Sequence, residues 1–271
     1  MQKQKLLSFK LKKNLWWDIF WAYKSLFHWS WLEFTEHKEY TPWDEIKNID
    51  WKLLWKTDKL FIKKFEELRN LNVLFILDID ESFYQFKNKL ELLEEVFYTL
   101  ALSAAHNNDN IYIYNKFWWE KNKLQLINRT IEDLENKNIQ NQNLENEIEK
   151  IAKNPKIANY LIFILTDKDK ITNKKAWKLL GLKNELIFIN IFDYFENNLE
   201  NINLDINFKN QNKIESISLS DKTKIEKYKK LREKKLEELK NNLKKSNIDY
   251  LYLDTNHNPY KEIFKFFERR N

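Results

Sequence analysis

Asp78, Asp80 and Ser82 are three oxygen-bearing side chains at alternate positions, directly after an unbroken apolar run, Val73 to Leu77. Such a run reads as a strand buried on both faces, as in a parallel sheet. Residues just past the carboxyl end of that strand lie on the edge where open α/β sheets bind ligands. Hard oxygen donors converging there suit a cation such as Mg²⁺. The competing reading is a polar loop that closes the strand and N-caps the next helix. Two other predicted buried strands also end in acids: Tyr160 to Leu165 leads into Thr166-Asp167, and Leu186 to Phe192 into Asp193. If the strands are parallel neighbours, Asp167 faces the Asp78–Ser82 loop. A donor set drawn from two loops is more specific for a cation than one acidic loop. Acids capping helix N-termini are the alternative here too.

The elements that would position these residues follow from periodicity. The pattern predicts strands at 33–40 and 60–65, the strand 72–78, a helix over 87–106, and a turn at Asn107-Asn108-Asp109. In that helix Leu90, Leu93, Phe97, Leu100, Ala101 and Ala104 share one face. A strand at 111–114, helices at 123–137 and 144–153 around a polar loop at 138–143, and the strand 160–165 come next. A short helix at about 173–180 has Gly181 placed as its C′ residue. The strand 186–192 is followed by a candidate edge strand at 215–219. A long helix over 221–246 carries a stripe of Ile225, Tyr228, Leu231, Leu236, Leu239 and Leu243. A strand at 248–253 and a closing helix at 259–269 complete the chain. Strands alternating with helices predict an α/β fold, a doubly wound and mostly parallel sheet. It would span residues 71–271, behind an irregular, partly β segment at 1–70.

Composition narrows the function. The 271 residues carry a formal charge of +6, much of the excess lying between Lys222 and Lys245. That run reads as a solvated helix face, and no basic patch interleaved with aromatics or known module points to nucleic acid. No apolar run reaches the roughly 18–20 residues of a membrane helix, and the basic start lacks the apolar core of a signal peptide, so a cytoplasmic protein is expected. There is no cysteine, and four scattered histidines lack zinc spacing. Against 1 Gly stand 11 Trp, where average usage predicts roughly 19 Gly.

Residues 19–67 resemble a bacterial family known as domain of unknown function fifty-eight. The resemblance is carried by Ala22-Tyr23-Lys24-Ser25, Glu33-Phe34, Glu39-Tyr40-Thr41-Pro42, Asp44, Ile49-Asp50-Trp51-Lys52, Lys56-Thr57 and Ile62 to Glu67. Weaker similarity continues through Asp78, Asn107-Asn108-Asp109, Thr166-Asp167, Asp193 with Glu196, and Leu253-Asp254-Thr255. Where the family pattern has glycine, this chain has Trp21, Trp29, Trp31 and Trp43. Those tryptophans are read as UGA codons that specify glycine in the source organism. Trp16, Trp17, Trp55, Trp118, Trp119 and Trp177 fall under the same suspicion.

The family is similar to von Willebrand factor A-type domains, which hold Mg²⁺ in a metal-ion-dependent adhesion site. The resemblance implies that Asp78, Ser82 and Asp167 are metal ligands. Asp80 replaces a Ser of that pattern, and no residue is placed for its Thr. It further implies a non-enzymatic, protein-binding adaptor that works with a MoxR-type AAA+ ATPase and a protein client in chaperone-like assembly or remodelling. The alternative is an enzyme. An apolar strand followed by D-x-D-x-S is also similar to the first motif of haloacid-dehalogenase-type phosphatases, with Asp78 as nucleophile, Asp80 as acid/base and Thr166 as phosphate-binding hydroxyl. In that reading Asp193 and Glu196 poorly match the second acidic pair that such an enzyme needs.

Overall fold

A computed structural model describes Tyr23 and residues 32–43, 49–57, 59–67, 70–114, 122–139, 143–197, 206–210, 213–217 and 222–270. Trp16, Trp17, Trp21, Trp29, Trp31, Trp118 and Trp119 lie outside the described residues, as do Leu219 of the expected edge strand and part of the loop at 138–143.

In chain order, β1 (Leu32–Glu39), α1 (Trp51–Thr57) and β2 (Phe61–Glu67) come first, with β1 and β2 paired antiparallel. β3 (Asn72–Leu77), α2 (Glu81–Gln85), α3 (Lys87–His106) and β4 (Asn110–Ile113) follow. Next are α4 (Lys123–Glu135), α5 (Leu144–Lys153), β5 (Tyr160–Thr166), α6 (Lys174–Lys183), β6 (Glu185–Phe192) and α7 (Tyr194–Asn197). The last elements are β7 (Ile206–Asn210), β8 (Lys213–Ile217), α8 (Lys222–Lys245), β9 (Ile248–Asp254) and α9 (Pro259–Glu268).

β3, β4, β5, β6 and β9 form one five-stranded sheet in the order β4-β3-β5-β6-β9, parallel throughout. Alternation along the strands sets the two cores. Val73, Phe75, Phe163, Leu165, Ile187 and Ile189 face α3, α4 and α9. Leu74, Ile76, Ile162, Ile164, Leu186 and Phe188 face α5, α6 and α8. Phe75 stacks on Phe163 with ring centroids 5.3 Å apart and meets Phe97 of α3 edge-on at 5.1 Å. Helices cover both faces, which is why these strands are continuous apolar runs.

Tyr23, from the amino-terminal segment, is buried in the α3-side core. Its hydroxyl donates to Asp109 Oδ2 at 2.8 Å, and its ring meets Phe267 of α9 edge-on. Among the described residues, no helix is long and apolar enough to cross a membrane.

Three local expectations change. The segment expected as a sheet edge is β8, which pairs with β7 in a separate antiparallel hairpin. Two short strands with only residues 211 and 212 between them close on each other before either can reach a distant edge. Gly181 lies inside α6, not after it, and its φ is not positive. It serves a close approach: a Cβ there would sit 2.2 Å from the backbone oxygen of Ser246, just past α8. On α8, Leu231 is exposed, while Arg232 turns inward with its side chain only 14% exposed. The inward positions 225, 228, 232, 239 and 243 keep a spacing of three, four or seven, which the cation satisfies and Leu231 does not.

With so little glycine, other residues take the left-handed turns. Asn108, Asn159 and Asn247 have positive φ, as does Lys137. Asn tolerates that region better than most side chains.

Candidate functional site

β3 and β5 are hydrogen-bonded neighbours in parallel register, so their carboxyl ends open on one edge. The ladder continues one step past β3, where Asp78 N–H donates to Leu165 O at 2.9 Å. Asp78, Asp80, Ser82 and Asp167, all expected from the sequence, are thereby brought together. Asp193, at the end of the next strand, is used elsewhere. It accepts from Phe195 N–H at 2.9 Å and from the Thr255 hydroxyl at 3.3 Å, capping α7.

Asp78 is buried and accepts from the Thr166 hydroxyl at 2.6 Å through Oδ2. Thr166 Oγ1 in turn accepts from Lys168 N–H at 3.1 Å. Asp78 Oδ1 is buried without a hydrogen-bond partner among the described residues. Burial pushes this carboxyl up to about 6, against the lowering effects of the Thr166 hydroxyl and the Lys168 charge.

Asp80 N-caps α2 by accepting from Ser82 N–H at 2.9 Å, so the capping reading of this loop is part of the answer. Its other oxygen accepts from Lys168 Nζ at 2.8 Å. Burial raises the Asp80 carboxyl, but the hydrogen bonds from Lys168 and Ser82 outweigh it and hold it below the usual carboxylate range. Burial likewise pulls the Lys168 ammonium down. The Asp80 hydrogen bond and the charges of Asp167, Asp78 and Asp80 more than offset this, and the ammonium is held above its usual value.

Sequence reasoning missed the cations of this site, Lys168, Arg232 and above all Lys89. Its side chain is 1% exposed, and Nζ donates to Ser82 Oγ at 2.9 Å, Asp167 Oδ2 at 2.8 Å and Glu196 Oε1 at 2.9 Å. The Ser82 hydroxyl also donates to Asp167 Oδ2. The ammonium lies 4.7 Å from the Phe83 ring centroid, within cation–π range. Glu196 Oε2 accepts from Arg232 at 3.1 Å, and that guanidinium lies over Phe192 at 4.4 Å. A signal for Lys89 existed: it stands four residues before Leu93 and eight before Phe97, on the apolar stripe of α3. A lysine in a core stripe demands a buried acid.

Asn190 of β6 holds the β5 loop in place. It is buried, and its amide donates to Thr166 O at 3.3 Å and Lys168 O at 2.9 Å, while its oxygen accepts from the Tyr250 hydroxyl at 3.1 Å.

Three carboxylates (Asp80, Asp167, Glu196) thus face three cations (Lys89, Lys168, Arg232). The donor atoms that Mg²⁺ would take from Ser82 and Asp167 already bind one ammonium, and Asp80 binds another. As arranged, the residues fit two lysine ammonium groups rather than a divalent ion. Among the described residues no group of three or more His, Cys, Asp or Glu is arranged to hold a metal. Beside the cluster lies a cleft of about 580 Å³ lined by Asp78, Asn143, Glu145, Lys168, Lys170 and Thr172.

No curated protein and no solved structure matches the chain. A family model described as "Protein of unknown function DUF58" matches residues 36–238, from β1 through most of α8. With that stretch covering most of its length, the chain belongs to the DUF58 family.

Proposed function

We propose that this chain is a non-enzymatic protein-binding adaptor, working with a MoxR-type AAA+ ATPase on a protein client in chaperone-like assembly or remodelling. The observation that carries the reading is the convergence of Asp78, Asp80, Ser82 and Asp167 at the carboxyl edge of β3 and β5. This is the edge at which a von Willebrand factor A-type sheet meets its partner. A charge-balanced floor (Lys89 and Arg232 with Asp167 and Glu196) lies under two more exposed groups, Asp80 and Lys168, whose side chains are 29% and 37% exposed. Buried charges fix geometry, and rim charges steer encounter and specificity. The test is co-purification and analytical ultracentrifugation with a purified MoxR-type ATPase from the same source. A complex weakened at least about tenfold by Lys168→Glu, with unchanged circular dichroism, supports the reading; tenfold corresponds to about 1.4 kcal/mol. Absence of any complex with the wild-type chain overturns it.

A second reading is favoured by one observation. Asp78 has one oxygen held by Thr166 and the other without a hydrogen-bond partner among the described residues, beside the cleft. That is how a phosphatase of the haloacid-dehalogenase type would present a nucleophile and its phosphate-binding hydroxyl. Mg²⁺-dependent hydrolysis of p-nitrophenyl phosphate, abolished by Asp78→Asn, establishes this reading, and no hydrolysis dismisses it.

A further inference from the structure

We infer that the positive charge of this site is built into the chain. The ammonium of Lys89 takes the place of a divalent cation, the site works without metal, and removal of that ammonium turns it into a metal site.

Four observations converge on this. Lys89 Nζ lies within 2.9 Å of three oxygen donors on three different elements: Ser82 of α2, Asp167 after β5 and Glu196 of α7. Its four-carbon stem rises from the buried face of α3, so the charge is delivered from beneath the sheet edge while the side chain stays 1% exposed. Glu196 is fixed from its other side by Arg232, and Asp167 lies 3.7 Å from a second ammonium, that of Lys168. Asp80, Asp167 and Glu196 therefore each already have a cation. A divalent ion added there would sit within a few ångströms of Lys89, between two carboxylates, Asp167 and Glu196, that already have cations, and like charges at that range repel strongly in a partly dry site.

The donor set itself remains one that a hard cation takes. Carboxylates from Asp167 and Glu196 and the hydroxyl of Ser82 are oxygen ligands of the type Mg²⁺ and Mn²⁺ use. Among the described residues, the Lys89 ammonium is the group that bridges all three. Replacing Lys89 by Ala removes the occupant and leaves two carboxylates and a hydroxyl around its place.

This inference goes beyond the adaptor reading and is tested without any partner. The full-length chain is stripped with chelator, and wild type, Lys89→Ala and Lys89→Ala/Asp167→Asn are titrated with MgCl₂ and MnCl₂ by calorimetry and thermal melting. The wild type is expected to give no saturable heat and a Tm shift below about 1 °C. Lys89→Ala is expected to bind one Mn²⁺ and gain at least about 4 °C in Tm at saturation, because an ion that binds only the folded state stabilises it. The double variant is expected to lose that gain. One-to-one binding of either metal by the wild type, abolished by Asp167→Asn, overturns the inference, as does a folded Lys89→Ala that ignores both metals. Should Lys89→Ala fold only when Mn²⁺ is present, that rescue is the expected result. Should it fold under neither condition, the wild-type lysine ammonium is observed directly by nitrogen-15 NMR. A slowly exchanging ammonium resonance indifferent to MgCl₂ upholds the inference, and one that is shifted by MgCl₂, or is absent, overturns it.

Discussion

Lys89 Nζ and Asp167 Oδ2 lie 2.8 Å apart, joining residues 78 positions apart in the chain. This pair ties α3 to the loop after β5, and with Glu196 it is the buried electrostatic centre of the sheet's carboxyl edge.

Lys89→Met should therefore be strongly destabilising. It keeps the length of the side chain but leaves Asp167 and Glu196 short of a cation. Breaking a buried pair from one side costs about 3–5 kcal/mol. Lys168→Met removes a more exposed partner of Asp80 and should cost no more than about 1 kcal/mol. Urea denaturation of the two variants should reproduce this order, and equal losses would refute the central place given to Lys89.

Stability should depend on pH through Asp78. Its carboxyl is raised to about 6 in the folded chain, against an ordinary value of 3.8. A group that holds its proton more tightly when folded adds stability at low pH, and that contribution is lost as pH rises from about 4 through about 6. Above that range the folded state carries a penalty on the order of 3 kcal/mol, at about 1.4 kcal/mol per unit. Asp78→Asn removes the ionisation while its carbonyl oxygen can still accept from Thr166. The variant should match wild type near pH 4 and exceed it by about 1–3 kcal/mol at pH 7.5. Denaturant midpoints at the two pH values check this, and a variant weaker than wild type at pH 7.5 refutes it.

Gly181→Ala should reverse the usual sign of a helix substitution. In an open helix interior, Ala is about 1 kcal/mol better than Gly. Here the added Cβ would meet the Ser246 carbonyl at 2.2 Å, so α6 and α8 must separate. A loss of about 1–3 kcal/mol is expected, as for overpacking elsewhere, and thermal melting reads it directly.

The tryptophans sort by burial. Trp43 is 96% exposed and Trp55 89%, whereas Trp177 is fully buried and its indole N–H donates to Glu145 at 3.2 Å. Trp43→Gly should change stability by less than about 0.5 kcal/mol. Trp177→Gly should cost upwards of about 3 kcal/mol through the cavity it opens. The turn at Pro42-Trp43 does not place Trp43 at positive φ, so the case for glycine there rests on the family pattern and on the near-complete exposure of the indole. Mass spectrometry of the protein isolated from its own source should find glycine at position 43, and tryptophan there would refute the recoding.

Much of the fold was legible in the chain. Val73 to Leu77, Tyr160 to Leu165 and, with Asn190 as its one polar residue, Leu186 to Phe192 read as strands covered on both faces, because almost no polar side chain marks a solvated side. The helical stripes between them imposed the alternation that makes a parallel sheet. The acids at the strand ends were equally plain, since each run stops at or just before its first charged residue. What only the tertiary structure decided was which charges meet. Sheet order set β3 beside β5 and so brought Asp167 to Ser82 while leaving Asp193 to cap α7. The pitch of α3 and α8 turned Lys89 and Arg232 inward onto Glu196. Spacing along a helix shows that a lysine is buried, but not which carboxylates neutralise it. Those partners come from other elements, and electrostatic pairing is fixed by distances in space that the sequence does not carry.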